Sequence, residues 1–404
     1  MHYGLGTSGR ADAVDRMGPR GACVVKYARI AGWGKYVPER ILTNRTLEQM
    51  VETSDEWIFS RTGIRERRIA DSAETVTSMS VAASQAALQV AGLDSSELDL
   101  IIAGTSTPDY LLPAAASMIQ DELGAERAAA FDLRAGCAGF VYGLTVGSQF
   151  ITSGTYQNVL VVGAEITSKF IDWQDRNTCI LFGDGAGAVV LQADDQPTGL
   201  MASNLGSRGA DHSALFVPGG GSKYPFCQDV LDRGMMNIRM DGGRLYKFAV
   251  STPVRVAEDT LRSAGLTIDD VKLLIPHQAN MRIVESICKR LGIPQERVFV
   301  NIQKYGNTSA ASIAIALCEA AEEGRLEPGD HVLLLGFGAG LTWAAALVRW
   351  GVPELSLSWM LSPHAIGEQL HAAGAWGTAR RAGATLLAAA GALFLATFSR
   401  SKGA

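Results

Sequence analysis

A helix, a strand, a turn carrying a reactive residue and a second helix occur twice in this chain, in the same order. In the first copy Met118-Ile-Gln-Asp-Glu-Leu-Gly-Ala125 precedes the apolar run Ala128 to Leu133, the turn at Cys137 and a helical stretch from Phe140 to Ile151. In the second, Ile287-Cys-Lys-Arg-Leu-Gly-Ile293 precedes Val298 to Ile302, the turn at Asn307 and another helix. Beyond these, Asn158-Val-Leu-Val-Val-Gly163 matches His331-Val-Leu-Leu-Leu-Gly336, and Leu98 to Ala103 matches Val271 to Pro276. A duplicated pair of α/β halves explains this register more economically than two unrelated domains. Strands spaced by helices predict a parallel sheet covered on both faces.

The rest of the chain fits around that frame. Ordered structure is expected from about Val25, after a Gly-, Arg- and Asp-rich leader (1–24) that reads as disordered rather than as a signal peptide. The halves are placed at 25–195 and 196–350, with short helices at Thr43 to Met50 and Asp55 to Arg61 and longer ones at Ala73 to Ala91 and Ala114 to Leu123. The extension 351–404 contains an uncharged run, 382–398, whose helical length of about 25 Å falls short of the roughly 30 Å hydrocarbon core. A surface or disordered tail is the leading reading there, ahead of a membrane contact and of an artefactual reading frame.

A net charge of −5 argues against a general nucleic-acid-binding role. The six cysteines, Cys23, Cys137, Cys179, Cys227, Cys288 and Cys318, are widely spaced with no C-x-x-C pair, which suits a reducing cytoplasm better than a disulfide framework or a zinc site.

Cys137 is placed between a strand and a helix, with small residues on both sides. The unpaired N–H groups and partial positive charge of a helix N-terminus favour a thiolate, so this is where a nucleophile would sit. The competing reading is a buried, inert thiol. His277 and Asn307 likewise follow apolar runs, and open α/β sheets bind ligands beyond the C-terminal ends of their strands. Singly, such a histidine is usually structural; three equivalent positions in a duplicated unit reverse that judgement. Trp57 shares a helical face with Arg61, and an aromatic plane beside a guanidinium can hold an adenine or a phosphate, although Arg61, Arg65, Arg67 and Arg68 read first as a solvated face. Gly183-Asp-Gly-Ala-Gly-Ala188 is a weak match to a nucleotide fingerprint, because it runs into the strand Val189 to Leu191 rather than opening a helix.

Asp132 to Phe140, Ile275-Pro-His-Gln-Ala-Asn-Met-Arg282 and Tyr305-Gly-Asn-Thr-Ser-Ala-Ala-Ser312 resemble the motifs of β-ketoacyl-acyl-carrier-protein synthase III, a condensing enzyme of the thiolase superfamily. Ser54 to Ile58, Thr62 to Arg67, Asp172 to Leu191 and Gly336 to Trp343 extend the likeness over some four-fifths of the chain, from about Val25 to Trp350. The resemblance implies a duplicated thiolase-like α/β fold with mixed sheets in αβαβα layers. It also implies a cytoplasmic homodimeric acyltransferase that condenses an acyl-CoA primer with malonyl-acyl carrier protein through an acyl-Cys137 intermediate. No cofactor or metal is implied, acyl-CoA being a substrate.

Further roles follow from the resemblance. His277 and Asn307 would donate hydrogen bonds to the malonyl thioester oxygen, and the backbone N–H groups of Cys137 and Ala339, in the Gly336 to Gly340 turn, would form a second oxyanion hole. Trp57 and Arg176 would sandwich the adenine of CoA with Arg61 near its phosphates. Gly242, Tyr246, Ala279 and Asn280 would line the pantetheine tunnel. Lys247, Arg282, Lys289 and Arg290 would dock the acidic carrier protein, with a solvated helix face as the competing reading. Leu112 would reach across a dimer interface to close the partner's acyl pocket. The alternatives are a condensing enzyme of polyketide or quinolone-like metabolism, a Cys-His-Asn thioester hydrolase, and a non-catalytic acyl-CoA binder.

Overall fold

The computed structural model describes residues 26–351. The expected leader 1–24, the extension from 352 onward and its uncharged run 382–398 lie outside the described residues. No helix among the described residues is long and apolar enough to cross a membrane.

Two sheets form the framework. The first contains β1 (Tyr27–Tyr36), β2 (Leu100–Gly104), β3 (Ala129–Leu133), β4 (Asn158–Glu165) and β5 (Gly185–Asp194), in the order β1-β5-β4-β2-β3. The second contains β6 (Gly199–Ser207), β7 (Leu273–Pro276), β8 (His331–Gly338) and β9 (Thr342–Arg349), in the order β7-β8-β9-β6. Read from β1 and from β6, the two orders match over four strands, and β3 alone has no counterpart in the second sheet. β2 and β7 pair in parallel with β4 and β8; β5 and β9 return antiparallel; β1 and β6 close the edge, again antiparallel. Both sheets are therefore mixed, as the family resemblance implies. The all-parallel expectation fails because β4 reaches β5 through an irregular segment rather than a crossover helix, which lets the chain reverse direction.

A second expectation also changes. Val298 to Ile302 does not form a strand; it contributes one parallel bridge, Leu274 to Val298, before a short helix at Ile302–Tyr305. The side chain of Gln278 takes over the missing ladder bonds. It accepts from the N–H of Asn301 at 3.1 Å and donates to the carbonyls of Phe299 and Pro276 at 3.2 and 2.7 Å.

Helices fill three layers. α2 (Val76–Ala91) and α3 (Ala115–Glu122) cover the outer face of the first sheet, while α6 (Thr252–Ser263) and α7 (Met281–Leu291) cover that of the second. Between the sheets lie α4 (Gly139–Thr152) and α8 (Ala311–Glu322), each packed against strands of both. A helix in that position needs apolar or small residues all round. α8 meets this need with Ala311, Ile313, Ala314, Ile315, Ala316 and Leu317, all buried.

The basic stretch near Arg61 is not a uniform solvated face. Arg61 and Arg65 are exposed, but Arg67 is fully buried, donating to the carbonyls of Leu42 and Ile180 and to the amide oxygen of Asn44. Burial lowers its guanidinium to about 10.

The contact between α8 and β5 is close enough to test. A Cβ at Gly187 would stand 2.6 Å from Ala314 Cβ and 2.8 Å from Ile315 N. Gly187→Val is expected to destabilise the protein by about 1 to 3 kcal/mol or more, because overpacking here must push a helix backbone. A chemical-denaturation midpoint equal to that of the unmodified protein would contradict this packing.

Candidate active site

Cys137 belongs to a single helical turn, Gly136–Ala138, that leads into α4 just beyond β3. Gly136 adopts φ +54°, and a Cβ there would lie 2.9 Å from the Ala339 nitrogen, so the turn can press against the β8–β9 connection. That connection is shorter than the Gly336 to Gly340 turn expected from the sequence: β8 continues through Gly338, leaving Ala339 at the bend. The backbone N–H groups of Ala339 and Cys137 favour the charged form of the Cys137 sulfur.

His277 follows β7 directly. Asn307 is not placed at a strand end; its backbone bridges Phe182 in the segment before β5. Even so, Cys137, His277 and Asn307 line one cavity of about 160 Å³. Gly242, Tyr246, Ala279 and Asn280 line the same cavity, as expected. Gly242 and Tyr246 belong to α5 (Gly242–Ala249), while Asn280 caps α7 by accepting from the N–H of Arg282 at 2.9 Å.

Hydrogen bonds set the direction of both polar donors. The Oδ1 atom of Asn307 accepts from the N–H of Ser309 at 2.9 Å, which assigns the amide and leaves its N–H₂ for the cavity. His277 Nδ1 lies 3.1 Å from Ser312 Oγ, which already accepts from the N–H of Gln278 at 2.8 Å. No other acceptor is within reach of that hydroxyl among the described residues, so Ser312 donates to Nδ1 and the ring carries its proton on Nε2. His277 is 1 % exposed, and burial lowers its imidazole to about 3. It is a neutral donor rather than a base.

The thiolate expected at Cys137 is not the resting state. Burial, aided by the nearby Glu165 carboxyl, pushes the thiol up to about 11 against the pull of the Ser309 hydroxyl and the two backbone N–H groups. Desolvation penalises the charged form more than the helix end and these donors compensate.

Two residues missed in the sequence stand beside the sulfur. Ser309 Oγ is 3.3 Å from Cys137 Sγ and 3.3 Å from Glu165 Oε1. Glu165 ends β4, an otherwise apolar strand, and is 1 % exposed. An acidic residue closing such a run, at the same edge of the sheet as Cys137, was the available signal.

The outer residues divide into two groups. α1 (Asp55–Thr62), capped by Ser54, carries Trp57 and Arg61. The guanidinium carbons of Arg61 and Arg176 lie 4.8 and 4.7 Å from the Trp57 ring centre. Lys247, Arg282, Lys289 and Arg290 are exposed on α5 and α7, and Arg282 also donates to the carbonyl of Ser60 on α1. Leu112 is 87 % exposed and takes no part in this chain's cavity. Among the described residues no group of three or more His, Cys, Asp or Glu side chains is arranged to hold a metal.

Comparison with known proteins agrees with this layout. Models of the 3-oxoacyl-[acyl-carrier-protein] synthase III family match residues 131–209 and, for its C-terminal part, 261–350. A β-ketoacyl-[acyl-carrier-protein] synthase III from Roseiflexus castenholzii is 53% identical over 327 residues, covering 81% of this chain and 99% of the relative. The crystal structure of the Aquifex aeolicus 3-oxoacyl-[acyl-carrier-protein] synthase III, 46% identical, superposes with a TM-score of 0.75 over 80% of this chain and 100% of its own. A priming β-ketosynthase of the R1128 polyketide pathway, 38% identical, gives 0.76 over 81% and 98%. With the duplicated sheets, the shared cavity and half of all aligned residues in common, the chain belongs to the β-ketoacyl-[acyl-carrier-protein] synthase III family.

Proposed function

We propose that the protein condenses an acyl-CoA primer with malonyl-acyl carrier protein, releasing CO₂ and giving a 3-oxoacyl-acyl carrier protein that starts fatty acid synthesis. The observation that carries this reading is the cavity whose wall combines a cysteine with two oriented N–H donors. In the first stage Cys137 takes the acyl group as a thioester, and the N–H groups of Cys137 and Ala339 stabilise the tetrahedral oxyanion. In the second, loss of CO₂ from malonyl leaves an enolate. His277 Nε2–H and the Asn307 N–H₂ donate to its oxygen while its carbon attacks the acyl-cysteine, the acyl–sulfur bond breaks, and the released Cys137 thiolate takes up the one proton the reaction consumes. Neutral donors suit this step because charge develops only as the C–C bond breaks.

The cavity wall formed by Gly242, Tyr246, Ala279 and Asn280 would hold the pantetheine arm. Trp57, Arg61 and Arg176 would hold the nucleotide. A ring held between two flat groups needs about 7 Å between them, twice a van der Waals contact. Arg176 therefore has to leave the Trp57 face before adenine enters. Lys247, Arg282, Lys289 and Arg290 would receive the acidic carrier protein, as their exposure on two helices that both line the cavity supports. The homodimer is supported by β3, an edge strand, and by the exposed run Tyr110, Leu111 and Leu112 nearby in sequence. Leu112 would close the partner's acyl pocket, and the two halves would divide near residue 195. The five described cysteines are all free, which suits a reducing cytoplasm.

The likeness to the R1128 priming ketosynthase supports a second reading, the same condensation in specialised metabolism. The malonyl donor and the primers accepted would separate the two. A hydrolase of the Cys-His-Asn kind uses its histidine as base on the thiol with the asparagine orienting it, whereas His277 Nε2 already carries a proton and Asn307 Oδ1 is held by the Ser309 N–H.

Three outcomes are expected. Cys137→Ala should form no acyl adduct by intact mass, whereas Asn307→Ala should form it but release CO₂ about 10²- to 10³-fold more slowly, the usual loss for one oxyanion donor. The decarboxylation rate of acylated enzyme should show no titration at the ordinary imidazole value of 6.5, since His277 stays neutral to far lower pH. A limb at that value would mean a charged imidazole. Finally, leucine at position 112 is smaller than an aromatic closure, so a panel of acyl-CoAs should leave adducts of primers longer or more branched than acetyl. Strict acetyl preference would refute this.

A further inference from the structure

The acylation step leaves one proton unassigned. The Cys137 thiol is neutral in the resting site, yet it must lose its proton as it attacks a thioester. His277 Nε2 cannot accept it, because Ser312 holds the ring in the tautomer that already bears hydrogen there. A different acceptor is therefore required.

We propose that Ser309 and Glu165 form a proton relay for Cys137, with Ser309 passing the thiol proton to the buried carboxylate during acylation; this deepens the condensation reading above and rests on it.

Three independent features support the assignment. The first is connectivity. Ser309 Oγ is 3.3 Å from both Cys137 Sγ and Glu165 Oε1, and a hydroxyl has one proton and two lone pairs. The Ser309 hydroxyl is within donating distance of both the sulfur and Oε1, and its one proton serves one at a time; when it turns to Oε1, a lone pair on Oγ is left to take the thiol proton. The second is backbone conformation. Ser309 is the one non-glycine residue with positive φ, +50°, among the described residues. Left-handed geometry costs a side-chain-bearing residue about 1 to 2 kcal/mol, and such outliers concentrate at functional sites. The N–H bond to Asn307 Oδ1 holds it there.

The third is the carboxyl itself. Glu165 is buried with no Lys or Arg within ion-pairing distance among the described residues. Its other contacts are the Ser106 N–H on Oε1 at 3.1 Å and the Thr107 hydroxyl on Oε2 at 2.6 Å. Burial raises it to about 7, opposed by these donors, by Ser309 and more weakly by the exposed Arg134 beyond β3. It can thus gain and lose a proton near neutrality. Cys137 is the other titratable group facing it.

The step balances. The Cys137 S–H bond breaks, sulfur bonds to the acyl carbon, and the C–S bond to CoA breaks. The thiol proton moves to Ser309 Oγ as the Ser309 proton moves to Glu165. The departing CoA thiolate is protonated by return along the same path, so Glu165 ends as it began.

The test is single-turnover acylation by acetyl-CoA, read as the Cys137 adduct mass after rapid quench, in the full chain and in Glu165→Gln and Ser309→Gly. Glycine removes the hydroxyl and relieves the left-handed strain, so its effect is not one of lost folding. Both variants should acylate about 100-fold more slowly, at the lower end of general-base contributions. After long incubation to complete acylation, both should release CO₂ from malonyl carrier protein at the unmodified rate. In the unmodified enzyme the acylation rate should rise with pH through about 7, and this limb should vanish in Glu165→Gln. Acylation at the unmodified rate in either variant, or equal slowing of both half-reactions, would overturn the relay while leaving the condensation standing. No adduct in the unmodified enzyme would overturn both.

Discussion

The turn from Asn307 to Ser312, at the start of α8, governs the direction of both side-chain donors in the cavity. Its Ser309 N–H turns the Asn307 amide, its Ser312 hydroxyl sets the His277 tautomer, and its Ser309 hydroxyl touches the sulfur. Each bond is buried, where an unpaired partner is expensive, so alternative orientations are suppressed. Because α8 is enclosed by both sheets, this orientation has the rigidity of the core rather than that of a surface loop.

The resting cavity is electrically quiet. Its imidazole is neutral, its thiol is protonated, and its one nearby carboxyl sits near its titration point. A site without fixed charge avoids the cost of burying one, yet its aimed dipoles act at full strength when an enolate or oxyanion forms in low dielectric. The absence of a thiolate is thus compatible with nucleophilic chemistry, provided the proton has somewhere to go at the moment of attack.

Much of this was legible in the residues. The repeated strand, turn and helix located Cys137 and His277 because both follow strands whose apolar runs are unmistakable. Asn307 was found through the same repeat although its strand dissolves into a single bridge. There the polar side chain of Gln278 replaces backbone pairing, an effect that local patterning does not register. Arg67 is indistinguishable in sequence from its exposed neighbours, since period alone cannot show that three acceptors from distant segments await it. Ser309 and Glu165 carry no joint signal in the sequence for a related reason. They are 144 positions apart, and their meaning arises only when the sheets bring them together at one sulfur. The thiolate expectation failed on magnitude: the helix end was visible, but the desolvation that outweighs it depends on enclosure by the whole fold.

The stacking of Arg61 and Arg176 on Trp57 carries a consequence for substrate discrimination. In the free protein the indole is already engaged by cations, so a flat heterocycle arriving there exchanges one aromatic partnership for another. Its net gain is a difference between similar energies and is correspondingly small. A thioester borne on a carrier protein brings no such ring and leaves the indole as it was. On the proposed reading, two donors would use one doorway in turn, told apart by whether a single tryptophan has to change company.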